Sequence, residues 1–307
     1  MELLKPKKLQ KGDTIGILAV SGQIKDISKI NNAKKFFNSL GYNVVISDTC
    51  KESHRYMSGK TDDDCVDALH SFFSNDEIDA ILCARGGYGT LRHINKINWD
   101  IIKNNPKIFA GYSDITILLA MMYKKCGLVT FHSPMANGDF SSFINDYTKT
   151  SFFNVLGKGE KHFKSQNGCL YSAGKSKGIL WGGNLASLVS LCGVDFVPDE
   201  DIILFLEDLN EPVYKIDKAL TQLFNIQKIR KNVKGIIFGD FLNVEDKDSL
   251  KNLFFEVANE LKIPVSDGFK ITHDKTKDTI PYGVSCVFDS EQGIFSILED
   301  YIIYWYW

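Results

Sequence analysis

The sequence predicts an α/β protein, with a parallel-sheet domain at the amino terminus and a second, smaller α+β domain after it. Three observations carry that expectation. Short apolar runs alternate with amphipathic helical segments over roughly the first 130 residues, the signature of a parallel sheet covered on both faces. Between residues 138 and 175 the pattern breaks into a polar, aromatic, weakly periodic stretch. The 307 residues are also long for a single hydrophobic core.

The elements follow in order. "DTIGILAV" (13–20) is a short apolar run ending in Ser21-Gly22 and reads as a buried strand. "ISKINNAKKFFNSLG" has helical spacing, with Phe36, Phe37 and Leu40 on one side and Gly41 as a stop. "YNVVIS" is the next strand. "TDDDCVDALHSFFSN" is a helix opened by Thr61 and three acids suited to its positive end. "IDAILCARGG" is a strand running into a glycine turn. "KIFAGYSD" is a fourth strand, and the helix "ITILLAMMYKKCG" follows, with Lys124 and Lys125 in its last turn and Gly127 as its stop. The expected organisation is a Rossmann- or flavodoxin-like domain over 1–150, a linker over 151–174 and the second domain over 175–307. In that second part, "KGILWGGNLASLVSLCG" reads as a turn and then a helix, "DIILFLEDLNE" as a strand into a loop, "YKIDKALTQLFN" as a helix and "VKGIIFGDF" as a strand. The end, "GVSCVFDS", "GIFSILE" and "YIIYWYW", is strand-rich. These strands look shorter and more antiparallel than the earlier ones.

Composition narrows the function classes. Lys and Arg total 36 against 38 Asp and Glu, a net charge of -2 with no basic stripe for nucleic acid. No apolar run approaches a membrane span, and "MELLKPKKLQKGD" lacks a secretory signal. The seven cysteines are an odd, scattered set without a CxxC pair, which argues against a disulfide framework and a structural zinc site. A cytoplasmic enzyme or binding protein fits. No cofactor is expected, because neither GxGxxG nor GxxxxGK[ST] occurs. No HExxH spacing supports a catalytic metal.

Two strand ends carry unusual sequences, and ligands gather beyond the carboxyl ends of parallel strands. "CARGGYGT" is either a plain glycine turn or a loop whose backbone N–H groups face a negative oxygen, with Arg85 available for a carboxylate. "GYSDIT" is either a helix start in which Ser113 is the N-cap, or a tight strand-to-helix turn that exposes Ser113 as a nucleophile. A nucleophilic serine needs an oriented base. His54, His70, His93 and His162 sit in polar or helical contexts and read as surface or structural residues. His132, in "TFHSP", follows a strand of the same sheet. His273 lies on a polar loop between two strands of the second domain. Glu207, Asp208 and Glu211 of "LFLEDLNE" are the candidate orienting carboxylates, against the plain alternative of loop acids.

The succession "RGGYG", "GYSDIT", "TFHSPM", "GILWGGNLASLVSLCG", "LFLEDLNEPVYKIDKALTQL" and a histidine before "TIPYG" resembles the LD-carboxypeptidase family. That serine peptidase group also contains the microcin C self-immunity peptidase. The resemblance runs from "LQKGDTIGILAVSG" to the "GVSCVFD" strand. It implies Ser113 as nucleophile, Glu207 as triad carboxylate and His273 as general base, with the serine in one domain and its partners in the other. Backbone N–H groups of Gly86 and Asp114 would form the oxyanion hole. It further implies removal of a terminal D-alanine from a murein tetrapeptide, cytoplasmic recycling of wall fragments, a small-peptide partner and a homodimer. Two departures touch this pattern: Thr272-His273-Asp274-Lys275-Thr276 stands where the family has Gly-His-Thr-x-Pro, and Ser133 replaces a glycine. The alternatives are a microcin-type immunity peptidase acting on an aminoacyl-nucleotide toxin, and a binding module without turnover.

Overall fold

The computed structural model describes residues 2–304, which fall into two compact units. Among the described residues, unit 1 comprises 2–160, 279–281 and 301–304, and unit 2 comprises 161–278 and 282–300. The chain therefore returns twice to unit 1 near its carboxyl end.

The sheet of unit 1 takes its strands in the order Asn43–Ile46, Thr14–Leu18, Ala80–Cys83, Ile108–Gly111, Thr130–His132, with Ile280–Tyr282 added at the far edge. The first five are parallel to their neighbours. The chain starts one strand in from an edge, steps outward, then crosses back past its own start. This is the flavodoxin-type order, whose switch point lies between the first strand and Ala80–Cys83. All four residues of Ala80–Cys83 and of Ile108–Gly111 are buried, as expected of a sheet covered on both faces.

The helices form where local chemistry favours them. Helix Asp62–Ser74 opens with a capping box: Thr61 accepts from Asp64 N, and the Asp64 side chain accepts from Thr61 N. Helix Ile27–Ser39 is capped by Asp26 and buries Ile30, Ala33 and Phe37, while Phe36 and Leu40 are only half-buried. Phe37 meets Phe140 and Phe152, at ring separations of 4.7 and 6.0 Å. Helix Thr116–Cys126 closes on Gly127 at φ 70, a left-handed stop that suits glycine. No helix among the described residues is long and apolar enough to cross a membrane.

The sheet of unit 2 has eight strands, and its centre differs from expectation. Lys175–Asn184, Ile202–Leu209, Val233–Leu242 and Val265–Ser266 lie side by side and parallel, and antiparallel strands flank them. Two of the central strands have ten residues, longer than any strand of unit 1. Lys175–Asn184 is a strand, not the turn its glycines suggested. Those glycines serve close backbone approach: a Cβ at Gly178 would lie 2.7 Å from Asp201 O, and one at Gly182 would lie 1.8 Å from Phe205 O. The expected linker over 151–174 is largely ordered. It carries the end of helix Asp146–Phe153, a π-helical turn Asn154–Lys158 and strands His162–Lys164 and Leu170–Ser172. Its polar look reflects strand faces such as that of His162 and Lys164, which are exposed around a buried Phe163. Helix Lys247–Leu261 was not anticipated. At the end, residues 301–304 form no strand, Ile303 makes one isolated bridge to Lys7, and 305–307 lie outside the described residues.

Gly182→Ala should therefore lower stability by about 3 kcal/mol or abolish folding, since φ 149 and a carbonyl both oppose the methyl group. Gly138→Ala, with nothing within 4 Å of the added carbon, should fall within about 0.5 kcal/mol of the parent. Denaturant unfolding of the two variants checks the contrast.

Candidate functional site

In unit 1 the candidate groups gather at the carboxyl ends of the parallel strands beside the switch point. The loops after Thr14–Leu18, Ala80–Cys83 and Ile108–Gly111 interlock there. Gly22 N donates to Gly86 O at 3.3 Å. A hairpin of Ser53–His54 and Met57–Ser58, which the sequence analysis missed, supports the first loop: Ser58 N donates to Ser21 O at 2.9 Å and Ser58 Oγ to Gly22 O at 2.7 Å.

Ser113 follows the buried strand by two residues and has φ 64. The N-cap reading of this serine does not hold. The 3-10 turn Ser113–Ile115 starts from Tyr112, helix Thr116–Cys126 starts from Ile115, and neither start has a side-chain cap. A left-handed non-glycine residue costs about 1–3 kcal/mol and persists where its surroundings over-determine it, commonly at functional sites. Helix Thr116–Cys126 presents its positive end on this side.

Gly86 lies against the serine. A Cβ there would stand 2.7 Å from Ser113 Cβ, 2.9 Å from Ser113 Oγ and 3.3 Å from Asp114 N. Only glycine leaves room beside the hydroxyl, so Gly86, Ser113 and Asp114 are brought together. Arg85 is partly committed to the scaffold, with Nε donating to Gly86 O at 3.0 Å and Nη1 to Gln23 O at 3.1 Å. His132 is buried and pairs with Gly111, its ring 5.8 Å from that of Tyr112. Ser133 is buried and donates its N–H to Gly111 O at 3.2 Å, on the last residue of the strand that leads to the serine turn.

In unit 2 the structure separates the three candidate acids. Glu207 is fully buried near the end of Ile202–Leu209, and its Oε2 lies 2.6 Å from His273 Nδ1. A buried carboxylate is costly without a partner, and Oε1 has none among the described residues. An ionised carboxylate only accepts, so Nδ1 carries the proton and Nε2 is the nitrogen able to take one. A bulge aligns the pair. Leu206 pairs with Phe238 but Asp208 with Phe241, so the neighbouring strand carries one extra residue opposite Glu207. At that point Asp240 N donates to Ile271 O at 2.9 Å, and a Cβ on Gly239 would lie 2.1 Å from the same oxygen. The loop closes where Asp278 N donates to Lys270 O at 2.7 Å, and Thr272 Oγ1 accepts from Asp274 N at 2.9 Å. The loop is not bounded by two strands of unit 2, because residues 279–281 belong to unit 1.

Asp208 points into the scaffold. It accepts from Asn184 Nδ2, Leu209 N and Ala186 N at 2.8 to 3.0 Å. Glu211 pairs with Lys215 at 3.3 Å and helps to line a cavity of about 760 Å³ in unit 2, with Asn210, Tyr214 and Asn243. The remaining histidines engage scaffold groups: His54 with Gly59 O and Asp62, His70 with Asn98 N, His93 with Val20 O, and His162 with Ser296. The described cysteines are free thiols, five of them buried.

Comparison with known proteins decides the family. The LD-carboxypeptidase N-terminal domain matches residues 15–133 and the LD-carboxypeptidase C-terminal domain matches residues 177–288. The chain belongs to the LD-carboxypeptidase family. It is 36% identical to the probable murein peptide carboxypeptidase of Bacillus subtilis, over 94% of this chain and 92% of that one. The microcin C7 self-immunity protein MccF of Escherichia coli is 28% identical, over 95% of this chain and 94% of that one. The wild-type, unliganded structure of that immunity protein matches with a TM-score of 0.89 and 26% identity, over 98% of this chain and 100% of that one. The muramoyltetrapeptide carboxypeptidase of Oxalobacter formigenes matches with a TM-score of 0.83 and 27% identity, over 94% of this chain and 100% of that one. LD-carboxypeptidase membership makes this chain a peptidase.

Two outcomes follow from the geometry. Ser113→Gly should raise thermal stability by about 1 kcal/mol, because glycine adopts φ 64 without strain; an unchanged or lowered Tm would show that the turn stores none. Burial, the largest effect on Asp208, and the nearby Glu207 charge push its carboxyl up to about 6, against the opposing Leu209 N–H. Folding thus takes up a proton between the ordinary carboxylate value of about 4 and that raised value. The contribution of Asp208 to stability is full below about pH 4 and is lost as the pH rises through about 6. Asp208→Asn should flatten this part of the stability profile, which denaturation at stepped pH measures.

Proposed function

We propose that this protein is a serine-type LD-carboxypeptidase that releases the terminal D-alanine of a murein tetrapeptide by cutting an L,D peptide bond. The observation that carries the reading is the buried Glu207–His273 pair at 2.6 Å, in a chain that also holds an over-constrained serine at a strand end. Relatives named as murein carboxypeptidases support the substrate class.

In the proposed reaction Ser113 Oγ attacks the scissile carbonyl carbon and its proton passes to His273 Nε2. Glu207 holds the imidazole in the required tautomer and stabilises its charged form. The N–H groups of Gly86 and Asp114 stabilise the tetrahedral oxyanion. Collapse breaks the C–N bond, and His273 returns the proton to the departing amine of D-alanine. Water, deprotonated by the same imidazole, then releases the acyl group from Ser113. Arg85 is the proposed partner of the substrate's terminal carboxylate, through the guanidinium nitrogen not bonded to Gly86 or Gln23. We place the reaction in the cytoplasm, in a homodimer; free, mostly buried thiols suit a reducing compartment.

A second reading has support in the 0.89 TM-score with the microcin C7 self-immunity protein, which has been solved with aspartyl sulfamoyl adenosine bound. In that reading the same machinery cleaves an aminoacyl-nucleotide analogue. A binding module without turnover is the third.

Ser113→Ala should cut D-alanine release by roughly 10⁴-fold or more, and His273→Gln by a similar factor. His132→Gln should leave kcat within about tenfold if His273 is the base. Mass spectrometry on L-Lys- and diaminopimelate-containing tetrapeptides and on an aminoacyl sulfamoyl nucleoside tests both readings. Cleavage of the nucleoside alone would overturn the murein assignment, and no turnover of either would leave the binding module.

A further inference from the structure

The side chain of Asp114 has no part in the chemistry proposed above, yet it is the point at which three loops of unit 1 are fastened. It is buried, and its Oδ2 accepts from Ser21 Oγ at 2.6 Å and from Thr90 N at 3.1 Å. Its main-chain carbonyl accepts from Thr90 Oγ1 at 2.8 Å. Ser21 lies in the loop after the first strand, and Thr90 closes the loop that holds Gly86. One residue thus joins the segments that follow strands one, three and four of the sheet, from both its side chain and its backbone.

We propose that Asp114 is the positioning residue of the nucleophile turn: through Ser21 and Thr90 it holds Ser113 in its left-handed conformation and sets the separation of Ser113 Oγ, Asp114 N–H and Gly86. The physical argument is one of constraint. A serine with φ 64 relaxes toward the right-handed region unless its neighbours forbid it. The turn's own backbone bonds run from Ile115 N to Tyr112 O, at a long 3.3 Å, and from Thr116 N to the carbonyls of Ser113 and Asp114, and none of them holds the side of the turn that faces Gly86. The bonds at Asp114 are shorter, two of them accept at a carboxylate, and they lie in a buried place where an unmade hydrogen bond is costly. They immobilise the peptide unit that follows Ser113, and with it the direction of Asp114 N–H. Thr90 carries the same restraint back to Gly86, four residues earlier, whose imagined Cβ lies 3.3 Å from that N–H. Because Oδ2 is held by a hydroxyl and an amide, the carboxylate is turned into the scaffold.

This inference rests on Ser113 being the nucleophile, so the experiment has one arm that depends on turnover and one that does not. For turnover, Asp114→Ala should lower kcat by about 10²- to 10³-fold with KM within about threefold, since positioning acts on the transition state more than on ground-state binding. Asp114→Asn, whose carboxamide oxygen can still accept from Ser21 and Thr90, should recover all but about tenfold. Ser21→Ala should cost about five- to tenfold. The pH midpoint of kcat/KM should not move in any of them, because the titrating base is elsewhere. A KM rise at constant kcat, or an Asp114→Asn variant no better than Asp114→Ala, would overturn the proposal. Independently of activity, amide hydrogen exchange over residues 112–116 should quicken in Asp114→Ala and Ser21→Ala and stay near the parent rate in Asp114→Asn; unchanged exchange in the first two would overturn it. Should Asp114→Ala fail to fold, Asp114→Asn and Ser21→Ala carry both arms. Ser113→Ala retaining full turnover would sink the nucleophile assignment alone, leaving the exchange arm to judge the restraint.

Discussion

Unit 1 is organised around a serine that must hold a backbone conformation its side chain disfavours. At φ 64, Ser113 is stable only because the residues around it leave the chain no cheaper path. The buried strand Ile108–Gly111 fixes the entry direction. The next residue, Asp114, is tied on two sides, and Gly86 leaves a space where any side chain would collide. The parallel order of the sheet makes this possible, since it brings the loops of three strands to one edge at the switch point.

Unit 2 solves a different problem, the burial of a carboxylate. Glu207 follows five apolar residues, 202–206, that are fully buried, a place hostile to charge. His273 compensates by bringing an N–H to Oε2, and a bulge with a glycine at its centre draws the histidine loop close enough to do so. The same strand end uses Asp208 quite differently. Three scaffold donors surround it, and its raised carboxyl reflects burial with a charged neighbour. Two adjacent acids on one strand point to opposite faces, so one meets an imidazole while the other accepts from Ala186 N in the first turn of the short helix Leu185–Val189.

Glycine is the recurrent device in both units. Gly86 makes room beside a hydroxyl, Gly239 admits a carbonyl, and Gly178 and Gly182 let neighbouring strands close up. In the sequence, Gly86, Gly178 and Gly182 read as turn residues and Gly239 as part of a plain strand. In the folded chain their value is the absence of a Cβ at a point of contact, which is a property of what lies opposite and not of the segment itself.

That distinction separates what the sequence determined from what tertiary structure decided. Alternating periodicity, Thr61 with its three following acids and the Gly127 stop are local, so the main helices and sheet strands of the amino-terminal half were legible, as was the mixed two-part architecture, while the hairpin over residues 53–58 and the short helix Trp99–Asn104 were not. The succession of motifs made the family legible and with it Ser113, Glu207 and His273 as candidates. The parallel centre of the second sheet, the strand at Lys175–Asn184, the order within 151–174 and the return of 279–281 to unit 1 were not legible, because strand pairing depends on partners far away in sequence. The division of labour among Glu207, Asp208 and Glu211, and the restraint of Asp114 by Ser21 and Thr90, were hidden for the same reason. A residue's identity states which bonds it can make, and only the fold states which donor arrives.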